Sequence, residues 1–182
     1  MKTIKLLAVL FISTLVFTAC SDDHDDDHDH GDDEELITTV IYTLTDGTNP
    51  DVVLQWQDLD GDTGNDPTIT SGTLMANTTY TGSIQLLNET ESPAEDITVE
   101  VRAEGDEHEF FYTPNSVNLS VTKTDNDGTN PLGIETELVT GTASTGTLTV
   151  ILKHEPTKPN DGTAAGAGGS TDVEVTFPIT VQ

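Results

Sequence analysis

From Leu36 onward, several stretches of the chain alternate apolar and polar residues with a period of two. That spacing puts one face of a β-strand in a core and the other in water. Leu36, Val40, Tyr42 and Leu44 share a face in "LITTVIYTLT", and Val52, Leu54 and Trp56 share one in "VVLQWQ". Tyr80, Ile84 and Leu86 do so in "YTGSIQL", followed by Val117, Leu119 and Val121, then Ile134 and Leu138, then Leu148, Val150 and Leu152. The last run is the most regular: Val173, Val175, Phe177, Ile179 and Val181 alternate with Asp172, Glu174, Thr176, Pro178 and Thr180. Pro178 has no N–H to give a ladder, so it marks a strand edge or a bulge. Three consecutive aromatics, Phe110, Phe111 and Tyr112, cannot all point inward from one strand, so at least one turns to the far side.

Turn chemistry separates the runs. "DGTNP" occurs at 46–50 and at 127–131, and "NDGT" at 160–163; Asp-Gly between strands is a hairpin signal. The repeat reads as two similar turns in one domain, because the flanking residues align poorly. One segment departs from the pattern. In "SPAEDITVEVRAEG", Ser92, Pro93 and Glu95 form a capping box with proline at the first helical position, and Gly105 stands where the helix would stop. A short helix over this stretch would line one face with Ala94, Ile97 and Val101. The Gly/Ala-rich stretch 162–170 reads as a mobile loop in the last hairpin. The expected fold is all-β, or β with one short helix: an antiparallel, Ig-like two-sheet β-sandwich of about seven to nine strands over residues 36–182.

The first nineteen residues do not belong to that domain. Lys2 and Lys5 precede an apolar run, Leu6–Phe17, broken only by Ser13 and Thr14. This run is shorter than the ~20 residues a membrane helix needs, and with Thr18 and Ala19 it has the form of a secretory signal. Cys20 is the sole cysteine, so no internal disulfide can form. "FTAC" resembles the lipobox of bacterial lipoproteins, which implies a lipidated Cys20 as the mature N-terminus; Phe17 stands where an aliphatic residue is more usual. Of Ser21–Glu35, ten residues are acidic and none is apolar, the composition of an extended, disordered tether.

Charge narrows the partners. The chain has 33 acidic residues against six basic ones, a net charge of −27. Only Arg102, Lys123, Lys153 and Lys158 lie after the signal segment. Such a surface repels phosphate, which excludes nucleic acid as a partner.

Candidate chemistry is sparse. The loop "DLDGDTGND" carries Asp58, Asp60, Asp62 and Asp66, hard oxygen ligands that suit Ca²⁺, although Thr63 and Ile69 stand where a helix–loop–helix calcium loop needs Gly and Glu. In the tether, His24, His28 and His30 lie among carboxylates and suit weak capture of Zn²⁺ or a similar ion. His108 in "DEHEFFY" and His154 in "KHEPTK" each sit at the end of a strand-like run beside acids, and would make a metal or haem site if the fold joined them. No nucleophile elbow, zinc-protease motif or second cysteine is present, so no enzymatic activity is expected.

"CSDDHDDD" looks like the export signal of Bacteroidota surface lipoproteins, in which acids just after the lipidated cysteine direct the protein to the cell exterior. The match covers Cys20, Ser21, Asp22, Asp23, Asp25, Asp26 and Asp27. The domain, with "NETESPAEDIT", "DEHEFF" and "KHEP", also resembles small β-rich lipoproteins of that group. The resemblance implies an outer-membrane protein anchored by its lipid and displayed at the cell surface. It implies an interaction module, accessory to a nutrient-uptake receptor in that membrane. The alternatives are a protein that captures Ca²⁺ or Zn²⁺ and a structural surface protein without a specific ligand.

Overall fold

The computed structural model describes residues 35–61 and 64–182. In chain order the elements are β1 (Thr39–Thr45), β2 (Val52–Gln57), β3 (Thr68–Thr70), β4 (Gly72–Leu74), β5 (Thr79–Asn88), β6 (Glu95–Asp96), α1 (Thr98–Ala103), β7 (His108–Asn115), β8 (Leu119–Lys123), β9 (Glu135–Thr140), β10 (Ser144–His154), α2 (Ala164–Ala167) and β11 (Ser170–Val181). One sheet runs β3-β2-β1-β5-β9-β8, with β6 added beside β5; the other runs β4-β11-β10-β7. The mostly-β, two-sheet expectation holds. The strands exceed the expected number because β3, β4 and β6 are only three, three and two residues long. β4 pairs with β11 in parallel, whereas the other strand pairs are antiparallel.

The period-two faces meet in one core. Val40, Tyr42, Leu44, Leu54, Ile84, Leu86 and Leu138 of the first sheet cluster with Phe110, Leu148, Val150, Leu152, Val175, Phe177 and Ile179 of the second. The Tyr42 hydroxyl is satisfied inside it at 2.7 Å from Thr136 Oγ1, and burial pushes the phenol's pKa up to about 12 despite that bond. Gly82 of β5 makes the approach feasible: a Cβ there would lie 2.4 Å from Thr136 Oγ1 and 2.6 Å from the Tyr42 ring.

Three expectations need correction. Leu36 is 58% exposed, and Ile37 is buried in its place, because β1 starts only at Thr39 and the lead-in before it does not keep strand parity. The helix exists but starts later than Ser92. Glu95 and Asp96 are drawn into pairing with Asn88 and Leu87, so α1 begins after Ile97, and Asp96 Oδ1 accepts the Thr98 N–H. Ile97 and Val101 still face the core as expected. The 162–170 stretch is an ordered turn of helix, α2, whose Thr163 hydroxyl accepts the Gly166 N–H and whose Ala167 is buried. Of the three consecutive aromatics, Phe111 turns to the far side of its strand as expected, and Lys123 covers it there, its Nζ 4.3 Å from the ring centroid.

The repeated turns behave alike. Asp46 Oδ1 accepts the N–H groups of Thr48 and Asn49, and Asp127 Oδ1 accepts those of Thr129 and Asn130. Pro178 lies one residue outside the ladder that β4 forms with Ile179–Val181, so its missing N–H falls at an edge.

Candidate metal centre

β7 and β10 pair so that His108 stands opposite His154. Both keep the inward parity of their strands, His108 with Phe110 and Tyr112, His154 with Leu152 and Val150. The core row therefore ends in two imidazoles where its previous rung is Leu152 beside Phe110. Their ring centroids are 4.8 Å apart. On the other side of β10, Leu152 pairs with Val173 but Lys153 pairs with Thr171. Asp172 is the extra residue of a bulge. A bulge re-aims a side chain that regular alternation would send outward, and the Asp172 side chain is fully buried. Its Oδ2 is 3.8 Å from His108 Nε2 and its Oδ1 is 3.8 Å from His154 Nδ1.

The fourth group comes from the lead-in to β1. Glu35 Oε1 lies 2.7 Å from His108 Nε2, and Oε2 lies 3.8 Å from His154 Nδ1. The Glu35 side chain is 6% exposed and that of His154 17%, so solvent reaches the cluster mainly past His154. Glu107 stands at that side, its Oε2 3.9 Å from His154 Nε2.

The hydrogen-bond pattern defines what the site presents. His108 Nδ1 is 3.1 Å from the Glu104 carbonyl, which can only accept, so Nδ1 carries a proton and donates it. In the neutral ring Nε2 is then a bare lone pair turned toward two carboxylates. Glu35 Oε1 is close to it but off the direction in which the ring would point a proton, so Nε2 and Glu35 Oε2 are buried without an aligned hydrogen bond. Acceptors facing acceptors in a buried pocket call for a donor or a cation between them, and a proton or a metal ion also offsets the charge of the two carboxylates. Burial works against the charged form of His108. The Glu35 contact, the bond to the Glu104 carbonyl and the Glu35 and Asp172 charges outweigh it and raise the ring's pKa. For Glu35, burial raises the carboxyl, but the His108 contact, a backbone bond and the two imidazoles bring it below its usual value.

The backbone around both histidines is fixed from outside. Lys158 Nζ donates to the carbonyls of His108 at 2.6 Å and Gly105 at 2.5 Å and pairs with Asp127 at 3.2 Å. Directly after His154, Glu155 adopts φ 49° and donates its N–H to the Glu107 carbonyl at 2.7 Å. These contacts hold the ends of β7 and β10 together, so the histidine pair is built before any ligand arrives.

The donor atoms of Glu35, His108, His154 and Asp172 all lie within 4.8 Å of one another. Tetrahedral zinc, with bonds of ~2.0–2.2 Å, separates its ligand atoms by about 3.3 Å. The 2.7 and 3.8 Å separations bracket that value. Two imidazoles with two carboxylates suit Zn²⁺ or a neighbouring transition metal; Ca²⁺ asks for six to eight oxygens. The donor set fits.

Of the residues singled out in the sequence, His108 and His154 are brought together. Asp58, Asp60 and Asp66 line a shallow cavity of about 280 Å³ on an exposed loop. There Asp58 Oδ1 accepts the Asp60 and Gly61 N–H groups, and the Asp60 carboxylate accepts the Asn65 N–H and side-chain amide. Asp62 lies outside the described residues, as do Cys20, Ser21, Asp22, Asp23, His24, Asp25, Asp26, Asp27, His28 and His30. Sequence reasoning missed two members of the cluster. Glu35 was grouped with the acidic tether, and Asp172 was assigned to the outward face of β11. Comparison with known proteins gave no matching family model, no matching curated protein and no matching solved structure.

Proposed function

We propose that this protein is a divalent-metal-binding protein that captures Zn²⁺ or a similar transition-metal ion at Glu35, His108, His154 and Asp172. The observation that carries this reading is the buried His108 Nε2, fixed as an acceptor by its Nδ1 bond to Glu104 and turned toward two carboxylates. His108 Nε2 and His154 Nδ1 supply the nitrogen ligands. Glu35 and Asp172 supply oxygen and cancel the ion's charge, which permits capture in a largely buried pocket. Glu107 orients His154 through the ring's other nitrogen, as carboxylates beside metal-binding histidines do. The negative surface draws cations toward the pocket. The sequence supplies the setting: a lipid on Cys20 tethers the protein to the outer membrane, and the acids after it send it to the cell surface, where an uptake receptor would be its partner.

Zinc calorimetry on the chelator-stripped full chain tests the reading. One ion binds the wild type and still binds when His24, His28 and His30 are all changed to Ala. Binding at this site is lost when His108 and His154 are changed to Ala. A zinc stoichiometry unaffected by the His108/His154 change would sink the proposal.

A further inference from the structure

Three of the four ligands belong to one sheet, and the fourth does not. His108, His154 and Asp172 sit on the adjacent strands β7, β10 and β11. Glu35 arrives on the segment that leads into β1 of the opposite sheet. A cation shared by all four therefore joins the two sheets at this end of the sandwich.

The same two carboxylate-bearing segments flank a cleft. Leu36, Ile37 and Thr38, immediately after Glu35, line it on one side, and Asp172, Val173 and Glu174 on the other. Its volume is about 560 Å³, and Trp56 lines it as well. Thr38 is held on both sides, its N–H donating to the Leu87 carbonyl at 2.9 Å, its carbonyl accepting the Asp58 N–H at 2.8 Å and its hydroxyl accepting the Glu89 N–H at 2.8 Å, and β1 pairing begins at Thr39. Upstream of Thr38, the Ile37 side chain enters the common core, and the Glu35 carboxylate makes a polar link to the other sheet.

Resting on the metal-binding reading, we propose that the ion acts as a clasp. His108, His154 and Asp172 form a cradle on the four-stranded sheet. Coordination by Glu35 pins the lead-in across it and sets the spacing of the cleft walls beside Trp56. With the metal gone, the Glu35 carboxylate is left with its contacts to the His108 and His154 rings, and the lead-in opens more often. Metal occupancy is thereby converted into the shape of a cleft large enough for a small organic ligand.

Linkage makes the idea quantitative. Releasing Glu35 costs the ion one ligand. Zinc must therefore lower the equilibrium population of the opened lead-in by the same factor by which losing Glu35 weakens zinc binding. Couplings of this kind are commonly about 5- to 150-fold. The experiment measures amide hydrogen exchange of Leu36–Thr38 in the full chain with and without saturating zinc, beside zinc calorimetry on the wild type and on Glu35→Gln. Trp56, the sole tryptophan, gives a second readout through its emission. The expected result is slower exchange at Leu36–Thr38 and a shifted Trp56 emission on zinc addition. Glu35→Gln still binds zinc, more weakly by the same factor, and loses both responses. If wild-type protein binds zinc at His108 and His154 while exchange at Leu36–Thr38 and Trp56 emission stay unchanged, the clasp is refuted and the metal site stands. If no zinc binds, the metal site and the clasp fall together.

Discussion

At the scale of single residues, carboxylates do two kinds of work here. Asp172 and Glu35 are turned into a buried pocket, whereas Asp127 closes a turn. The Asp127 side chain is only 4% exposed, and the Asn130 N–H holds its pKa down to about 2, against burial and aided by the Thr129 N–H and Lys158. The folded value lies below the ordinary 3.8, so its contribution is present in full above that value. It is lost as pH falls from about 4 through about 2. Melting temperatures of the wild type and Asp127→Asn should therefore differ most at neutral pH and converge on acidification through that window. A constant difference across the window would contradict the assignment. The variant also removes a charge from buried Lys158, which holds the His108 carbonyl, so the effect reaches the site's scaffold.

At the scale of elements, the bulge of β11 places the centre, and a glycine beside it lets β11 pack against β10. Gly169 has φ +68°, and a Cβ there would lie 2.1 Å from the His154 carbonyl oxygen. Gly169→Ala should cost more than the ~1–3 kcal/mol of backbone strain alone and should weaken zinc binding by displacing His154. Gly162→Ala is the control: its φ is +83° but no atom lies within 4 Å of the added Cβ. It should lower the melting temperature less and leave zinc affinity unchanged. Equal zinc affinities in the two variants would show that Gly169 does not position the histidine.

The same element explains what could be read from the sequence and what could not. Period two named the core faces of β1, β2, β5, β9, β10 and β11, because each strand is buried on one side only. It placed His108 and His154 at strand ends, but pairing between strands distant in sequence decides their meeting, and no local pattern encodes it. Asp172 was hidden because a single extra residue inverts the parity that the pattern assumes. Glu35 was hidden by its neighbours, since nothing in the composition of an acidic run singles out one of its members. The helix boundary shifted because pairing of Glu95 and Asp96 to β5 overrode the local capping box.

At the scale of the whole molecule, the proposed metal site would bear on stability and the proposed lipid anchor on location. An ion that binds only the folded state at 100 times its dissociation constant adds ~2.7 kcal/mol, which for a chain of this size raises the melting temperature by about 5–10 °C. Zinc should produce that rise in the wild type and none in the doubly substituted His108→Ala, His154→Ala chain; calcium should produce none at this site. A rise of equal size in the double variant would assign the stabilisation elsewhere. For location, Cys20→Ala should release the protein from the membrane fraction. Replacing Asp22, Asp23, Asp25, Asp26 and Asp27 with Ala should leave it lipidated but protected from protease added to intact cells. Undiminished cleavage in that experiment would defeat the surface-display proposal.

The shortness of β4 has a consequence for life in a crowd. It pairs with only Ile179–Val181 of β11, so the rest of that twelve-residue strand has no second strand beside it among the described residues. A bare strand edge can template pairing with another copy. Here Pro178 interrupts the donor row at one end of the bare stretch and the Asp172 bulge distorts it at the other, which leaves Val173–Phe177 as its regular part. Glu174 adds a charge to that remnant. The irregularity that turns Asp172 toward the two histidines therefore also guards against fibrous association. Straightening β11 by deleting Asp172 and exchanging Pro178 for Val would sacrifice the ion and the protein's solitude together.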